Sequence, residues 1–306
     1  MDIVLVLIKQ LTVMFFYMVI GYVLYKKKFI TEKGSRELGT LLLYVLLPCV
    51  IFDAFLTEAA PGMLRGMGIS FLFSTLSIAL AQAVSYAFFG KRHRIEAFAA
   101  SYSNAGYMGV PLIRMVLGSS AVFYASAFVA MTNVYQWTYG IYMMTGDKRS
   151  IQPKKILTNP SMIAVAAGIL VFLFRIRLPG LATQAIGSLA SMNGPIAMII
   201  LGVYLAQIDL RSMFTDRLAY LCSAVRLIIA PVLCVLLFLL IPKEMNECRI
   251  CLSVIASAPV AVAAALFAQQ NDLSYTEACK SVCMTTLLSL VTMPLILVFA
   301  NLVFSL

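Results

Sequence analysis

The residues best placed to do chemistry in this chain are amides and backbone groups, not acids, bases or metal ligands. The stretch Ser101-Tyr-Ser-Asn-Ala-Gly-Tyr-Met-Gly-Val-Pro-Leu112 sets Asn104, Gly106, Gly109 and Pro111 within eight residues of a hydrophobic segment. Pro111 removes a backbone donor and clashes with the preceding turn, while the two glycines relax the chain and permit close approach. Two readings fit: a proline-kinked helix with glycines packed on a neighbour, or a helix unwound and crossing at mid-membrane. An unwound helix exposes orphan N–H groups at its new start and orphan C=O groups at its new end. The starting end carries about half a positive charge, a field that suits an organic carboxylate. Asn104 can donate two hydrogen bonds to such an anion without burying a net charge. Its alternative task is to cap the broken backbone.

Other side chains could complete such a site. Asn133 offers a second amide, and Tyr107, Tyr135 and Trp137 could wall the apolar part of a ligand or simply pack. Charged residues inside apolar segments are functional candidates. Arg114 follows Pro111 by about one helical turn and could attract an anion or anchor the half-helix. Arg226 and Asp53 could form an ion pair or serve proton coupling, with snorkelling and structural pairing as the competing uses. Neither metal nor cofactor is expected. The seven cysteines are scattered through apolar runs, Cys248 and Cys251 lack a second pair, and His93 is the sole histidine. The same scarcity argues against an intramembrane enzyme, and no phosphate-binding glycine loop suggests ATP-driven pumping.

The elements that must position these residues are membrane spans. The 306-residue chain is 62% hydrophobic and only 12% charged, with a mean hydropathy of +0.95. Soluble domains carry about 25% charged residues, so an integral membrane protein is expected. The basic residues behind the net charge of +10 sit in short loops between apolar runs, a pattern that fits membrane orientation better than a nucleic-acid surface. The N-terminal segment lacks a small-residue cleavage site and reads as a retained first helix.

Ten segments are long enough, or nearly so, to span a bilayer: 3–25, 38–55, 66–89, 95–117, 122–145, 160–174, 181–206, 218–241, 250–268 and 278–304. With the N-terminus outside, the inner loops hold fifteen basic residues, Lys154 and Lys155 among them, and the outer loops five. This bias predicts a cytoplasmic-membrane protein with both termini outside. The halves also correspond. Pro48 in span two is matched by Gly194-Pro195 in span seven, and the break at Asn104–Pro111 by Ser257-Ala258-Pro259 in span nine. Five spans per half is odd, so the repeats are inverted: residues 1–145, a short cytoplasmic linker 146–159, and 160–306. Paired interrupted segments point to a transporter's binding site, which favours the broken, crossing form of spans four and nine.

At these motifs the sequence resembles the auxin efflux carrier family, which includes plant auxin exporters and bacterial malonate-type carriers. The resemblance rests on Tyr44-Val-Leu-Leu-Pro48, Asn104-Ala-Gly-Tyr-Met-Gly-Val-Pro-Leu112, Asn133-Val-Tyr-Gln-Trp137-Thr138, Asn159-Pro160, Leu178-Pro179, Leu201-Gly202, Ala258-Pro259 and Thr285–Pro294, in that order. It implies a bile-acid-transporter-like fold. Spans one, two, six and seven would form a scaffold, often dimeric, and the other six a transport domain moving against it. It also implies that substrate binds beside the crossing, and the expected contacts are Asn104, Asn133, Trp137, Thr138 and Tyr107. Plant exporters carry a long hydrophilic loop where this chain has only Gly146–Asn159, usually proline at the position of Ser103, and tyrosine near Thr138. These departures argue against auxin itself.

The expected function is elevator-type secondary transport of a small organic anion, auxin-like or a mono- or dicarboxylate such as malonate. The alternatives are an anion sensor without net transport and a sodium-coupled symporter of the same fold. Sodium would need hard oxygen ligands, and the crossing region offers Ser103, Asn104, Ser257, Gln269 and Gln270 with no acid nearer than Asp272 or Glu277. Proton coupling or facilitated transport is therefore preferred.

Overall fold

The computed structural model describes residues 2–56, 62–151, 154 and 157–305; Lys155, counted with the inner loops, lies outside them. The described residues are helical, without a strand. In the first half α1 is Asp2–Lys26, α2 Glu32–Ala54, α3 Met63–Phe89, α4 Arg94–Ser101, α5 residues 105–116 and α6 residues 119–145. In the second half α7 is Pro160–Leu173, α8 Gly180–Gln207 and α9 the short Leu210–Thr215. After them come α10 Arg217–Phe238, α11 Asn246–Ser257, α12 Ala263–Gln270 and α13 Tyr275–Ser305.

Six of these helices are long and apolar enough to cross a membrane: α1 from Ile8, α2, α3, α8, α10 and α13. The other four predicted segments are helical but depart from a plain apolar span for visible reasons. Segment 95–117 divides into α4 and α5 at 102–104, ahead of the expected break, so that Gly106, Gly109 and Pro111 lie inside α5; segment 250–268 divides into α11 and α12 around Pro259. Helix α7 is apolar but has 14 residues, and α6 runs unbroken while carrying Ser126, Thr132, Asn133 and Gln136.

Burial follows the same division. Helix α1 turns Leu5, Phe16 and Val19 outward, α2 Tyr44, and α13 Val291, Leu295 and Leu302, all more than half exposed. Such a belt is costly in water and ordinary against lipid tails. Every residue of 95–101 and of 248–262 is buried, so the broken helices sit inside the bundle. Helices α1 and α8 pack almost backbone to backbone: a Cβ on Gly21 would collide with the Ile199 carbonyl, and one on Gly202 with the Met18 carbonyl. Small residues that allow such approach drive association within membranes.

Four helices contain one π-turn each: Leu42–Leu46, Ala105–Gly109, Gln136–Gly140 and Val225–Ile229. Three run just ahead of a proline, namely Pro48, Pro111 and Pro231. A proline cannot donate to the carbonyl one turn back, and a wider turn is one way to accommodate that loss. Arg249, one of the five basic residues that the ten-span reading counts in outer loops, is buried instead. Its guanidinium donates to the Leu239 and Ile241 carbonyls just beyond α10.

Candidate functional site

The two breaks meet. Between α4 and α5 the chain is extended at Tyr102, and Ser103 forms an isolated antiparallel bridge with Val260, which lies between α11 and α12. The Asn104 N–H donates to the Pro259 carbonyl at 2.8 Å, and the Ala261 N–H to the Tyr102 carbonyl at 2.9 Å. Surrounding helices hold this junction in register. The Thr285 hydroxyl of α13 accepts from the Val260 N–H, and the Tyr102 hydroxyl accepts from Gln82 while donating to the Tyr135 carbonyl. From α8, Asn193 donates to the Gly106 carbonyl at 2.9 Å. The backbone groups left over by breaking two helices are thus partly reused between them.

The helix starts at the junction carry no side-chain cap, neither at α5 nor at α12. Both face one cavity of about 50 Å³, lined by Ser103 to Tyr107, Thr132, Asn133 and Gln136 of α6, Ala261 to Ala263, and Leu43 and Leu47 of α2. A water needs roughly 10–15 Å³ on such a measure, so the space takes a few waters or one carboxylate group. Four polar atoms on its lining residues are buried without a partner: Ser103 Oγ, Asn104 Nδ2, Tyr107 OH and Thr132 Oγ1. Buried polar groups are ordinarily paired, and each exception calls for an explanation.

The helix ends at the junction are treated differently. Arg226, on the α10 π-turn and 3% exposed, reaches both of them. Its Nη1 donates to the Ala100 and Ser101 carbonyls at the end of α4, each at 3.4 Å. Its Nη2 donates to the Ala256 carbonyl near the end of α11. Among the described residues no carboxylate pairs with it. Ser103 and Thr132 also line the small space in front of Arg226, so they form the wall between the cation and the cavity.

The candidates named from sequence divide accordingly. Asn104, Tyr107, Asn133 and Gly106 line the cavity, with Asn133 Nδ2 already donating to the Val129 carbonyl of its own helix. Gly109 faces Ile255, and Pro111 packs on Gly194 of α8. Trp137 and Thr138 lie outside the lining. The indole stands edge-on to Phe267 at 4.6 Å, and the Thr138 hydroxyl donates to the Val134 carbonyl at 2.6 Å. The suggested Asp53–Arg226 pair does not form. Asp53, late in α2, pairs instead with Arg114 at 3.1 Å, because α5 ends beside it while Arg226 lies at the junction. Arg114 also lines a second cavity of about 370 Å³, formed by residues of α1, α2, α5 and α8. Sequence reasoning gave no role to Thr132, Gln136 or Asn193. The polar spacing Thr132-Asn133…Gln136 inside an apolar run was the signal available for the first two, whereas Asn193 has only its place before Gly194-Pro195.

A family described as membrane transport protein matches residues 6–297. A protein of Methanothermobacter thermautotrophicus named "Uncharacterized transporter" is 25% identical over 286 residues, covering 90% of this chain and 92% of its own. One of Rhizobium meliloti named "Putative malonate transporter" is 25% identical over 270 residues, covering 83% of each chain. These names indicate transporters rather than enzymes. With apolar helices that can span a bilayer several times and a family match over nearly its whole length, the chain belongs to the membrane transport protein family, that of the auxin efflux carriers, and is a multi-pass membrane transporter.

Proposed function

We propose that this protein is a secondary carrier of a small organic carboxylate, bound at the junction of the two breaks and moved by elevator-type alternating access. The observation that carries the reading is the cavity at the junction. Two uncapped helix starts border it, and four of its lining residues carry a buried polar atom without a partner. Helix starts favour anions, and donors already desolvated bind them without further cost of burial. In this reading Asn104 Nδ2 and the Ser103 and Thr132 hydroxyls donate to the carboxylate, and Tyr107 closes one side. The small volume favours a short mono- or dicarboxylate over an aromatic auxin. The name of the Rhizobium meliloti relative is consistent with that choice.

The architecture proposed with it has ten spans in two inverted five-span repeats, residues 1–145 and 160–306 joined by a cytoplasmic linker, both termini outside the cell membrane. Spans four and nine are the crossing pair, α4–α5 and α11–α12. Spans one, two, six and seven, namely α1, α2, α7 and α8, form the scaffold, which offers a homodimer surface. The rest is the transport domain. The contacts supporting a sliding interface are Leu47 against Gly106, Gly194 against Pro111, and the Asn193–Gly106 hydrogen bond. They separate the small cavity from the larger one beyond α5, and relative motion would connect the bound anion to one side or the other.

The test is uptake of labelled mono- and dicarboxylates by purified protein in liposomes. Saturable flux of at least one carboxylate, with normal folding but strongly reduced flux in Asn104→Ala, is the expected result. Saturable binding without flux would favour the sensor reading, and unchanged flux in Asn104→Ala would remove the role given to that amide.

A further inference from the structure

We infer that Arg226 is a built-in counter-cation, occupying the place where a carrier of this geometry would otherwise hold a mobile metal ion. The carbonyls of Ala100 and Ser101 at one helix end, and of Ala256 at the other, converge on a single buried point. Each helix end carries about half a negative charge. Unwound carbonyls and half-helix ends at a transporter's core are the groups that coordinate sodium. In this chain they receive a guanidinium tethered to α10. No carboxylate among the described residues neutralises it, so the two helix ends are its compensation.

Two consequences follow for the carrier cycle. The positive charge that an incoming anion meets is permanent, lying behind Ser103 and Thr132, which border both the cation and the anion cavity. Binding of the anion therefore needs no co-bound alkali cation. The guanidinium also holds α4 and α11 together through their ends, so that the junction moves as one piece. Arg226 is a positioning and charge-supplying residue, separate from the donors that touch substrate.

The flux part of this proposal rests on the carrier reading, and the cation-binding part does not. In liposomes, replacing sodium by potassium or N-methylglucamine on both sides is expected to leave wild-type carboxylate flux unchanged. A strict sodium requirement would overturn the inference. Arg226→Ala is expected to lower flux by about tenfold or more, whereas Arg226→Lys, which keeps a cation on the same helix, retains the larger part of it. Equal loss in both variants would contradict a role for charge. Independently of flux, thermal unfolding of detergent-purified Arg226→Ala is measured with about 10 mM guanidinium, sodium or urea, and N-methylglucamine as reference, since an ion filling the vacated cage stabilises by mass action. Guanidinium is expected to raise the midpoint of Arg226→Ala saturably while leaving wild type and Arg226→Lys unmoved, and uncharged urea is expected to do nothing. An identical response of wild type and Arg226→Ala to guanidinium would overturn the cage. Should Arg226→Ala fail to fold, Arg226→Lys is decisive: substantial sodium-independent flux sustains the inference, and a loss of flux in Arg226→Lys that sodium does not restore refutes it.

Discussion

On one side of the junction, the ends of α4 and α11 give their carbonyls to the two terminal nitrogens of Arg226, whose Nε has no partner. On the other side, the starts of α5 and α12 have no capping side chain and share a cavity with four unpartnered polar atoms. Both sides arise from the same event, the breaking of two helices, which frees carbonyls and N–H groups in equal number. The sealed side is filled from within the protein, and the open side is where the proposed binding site lies.

That contrast can be broken from either side. The largest effect is expected on the sealed side. Arg226→Leu strands buried carbonyls that were bonded to a charge and is expected to cost about 3 kcal/mol of stability, measured by unfolding in detergent. On the open side, Asn104→Ala removes an amide whose Nδ2 has no partner in the protein. Its stability is expected to change by less than about 1 kcal/mol while carboxylate flux falls by about tenfold to a hundredfold. The reverse pattern, large destabilisation with normal flux, would make Asn104 a cap. Thr132→Val keeps the shape and removes only the unpartnered hydroxyl, so KM for the carboxylate is expected to rise about threefold with stability unchanged. The smallest effect is expected away from the junction. The Asp53–Arg114 pair is partly exposed, with side chains 18% and 35% accessible, and Asp53→Asn should cost less than about 1 kcal/mol. Loss of all transport in that variant would place a proton-coupling step there and redraw the site.

That span four is interrupted was legible from its cluster of glycines and proline, and Ala258-Pro259 repeats the signal in the second half, but the interruption falls at 102–104, and Gly106, Gly109 and Pro111 lie inside α5. Asn104 was legible as an amide isolated in apolar sequence. Other parts of the site were not. Arg226 stood out as a buried charge, but its partners are backbone carbonyls, which every residue possesses and no residue type announces. A search for acids therefore led to Asp53, which Arg114 already holds. Trp137 and Thr138 stand off the small cavity, within Gln136–Gly140, a π-turn without a proline to mark it. One extra residue in that turn shifts which side chains face the cavity, leaving Gln136 on the lining and its successors off it. Asn193 carried no separate signal, since its role depends on α8 packing across Gly106.

The central claim is that an anion binds where the helix starts are open, not where the guanidinium sits. The most direct measurement is an experimental structure of the protein with a transported carboxylate bound. The account predicts carboxylate density between Asn104 and the starts of α5 and α12, within hydrogen-bonding distance of Asn104 Nδ2, with Arg226 still bonded to the Ala100, Ser101 and Ala256 carbonyls. A carboxylate that displaces those carbonyls to pair with Arg226, leaving the Asn104 cavity empty, would contradict it.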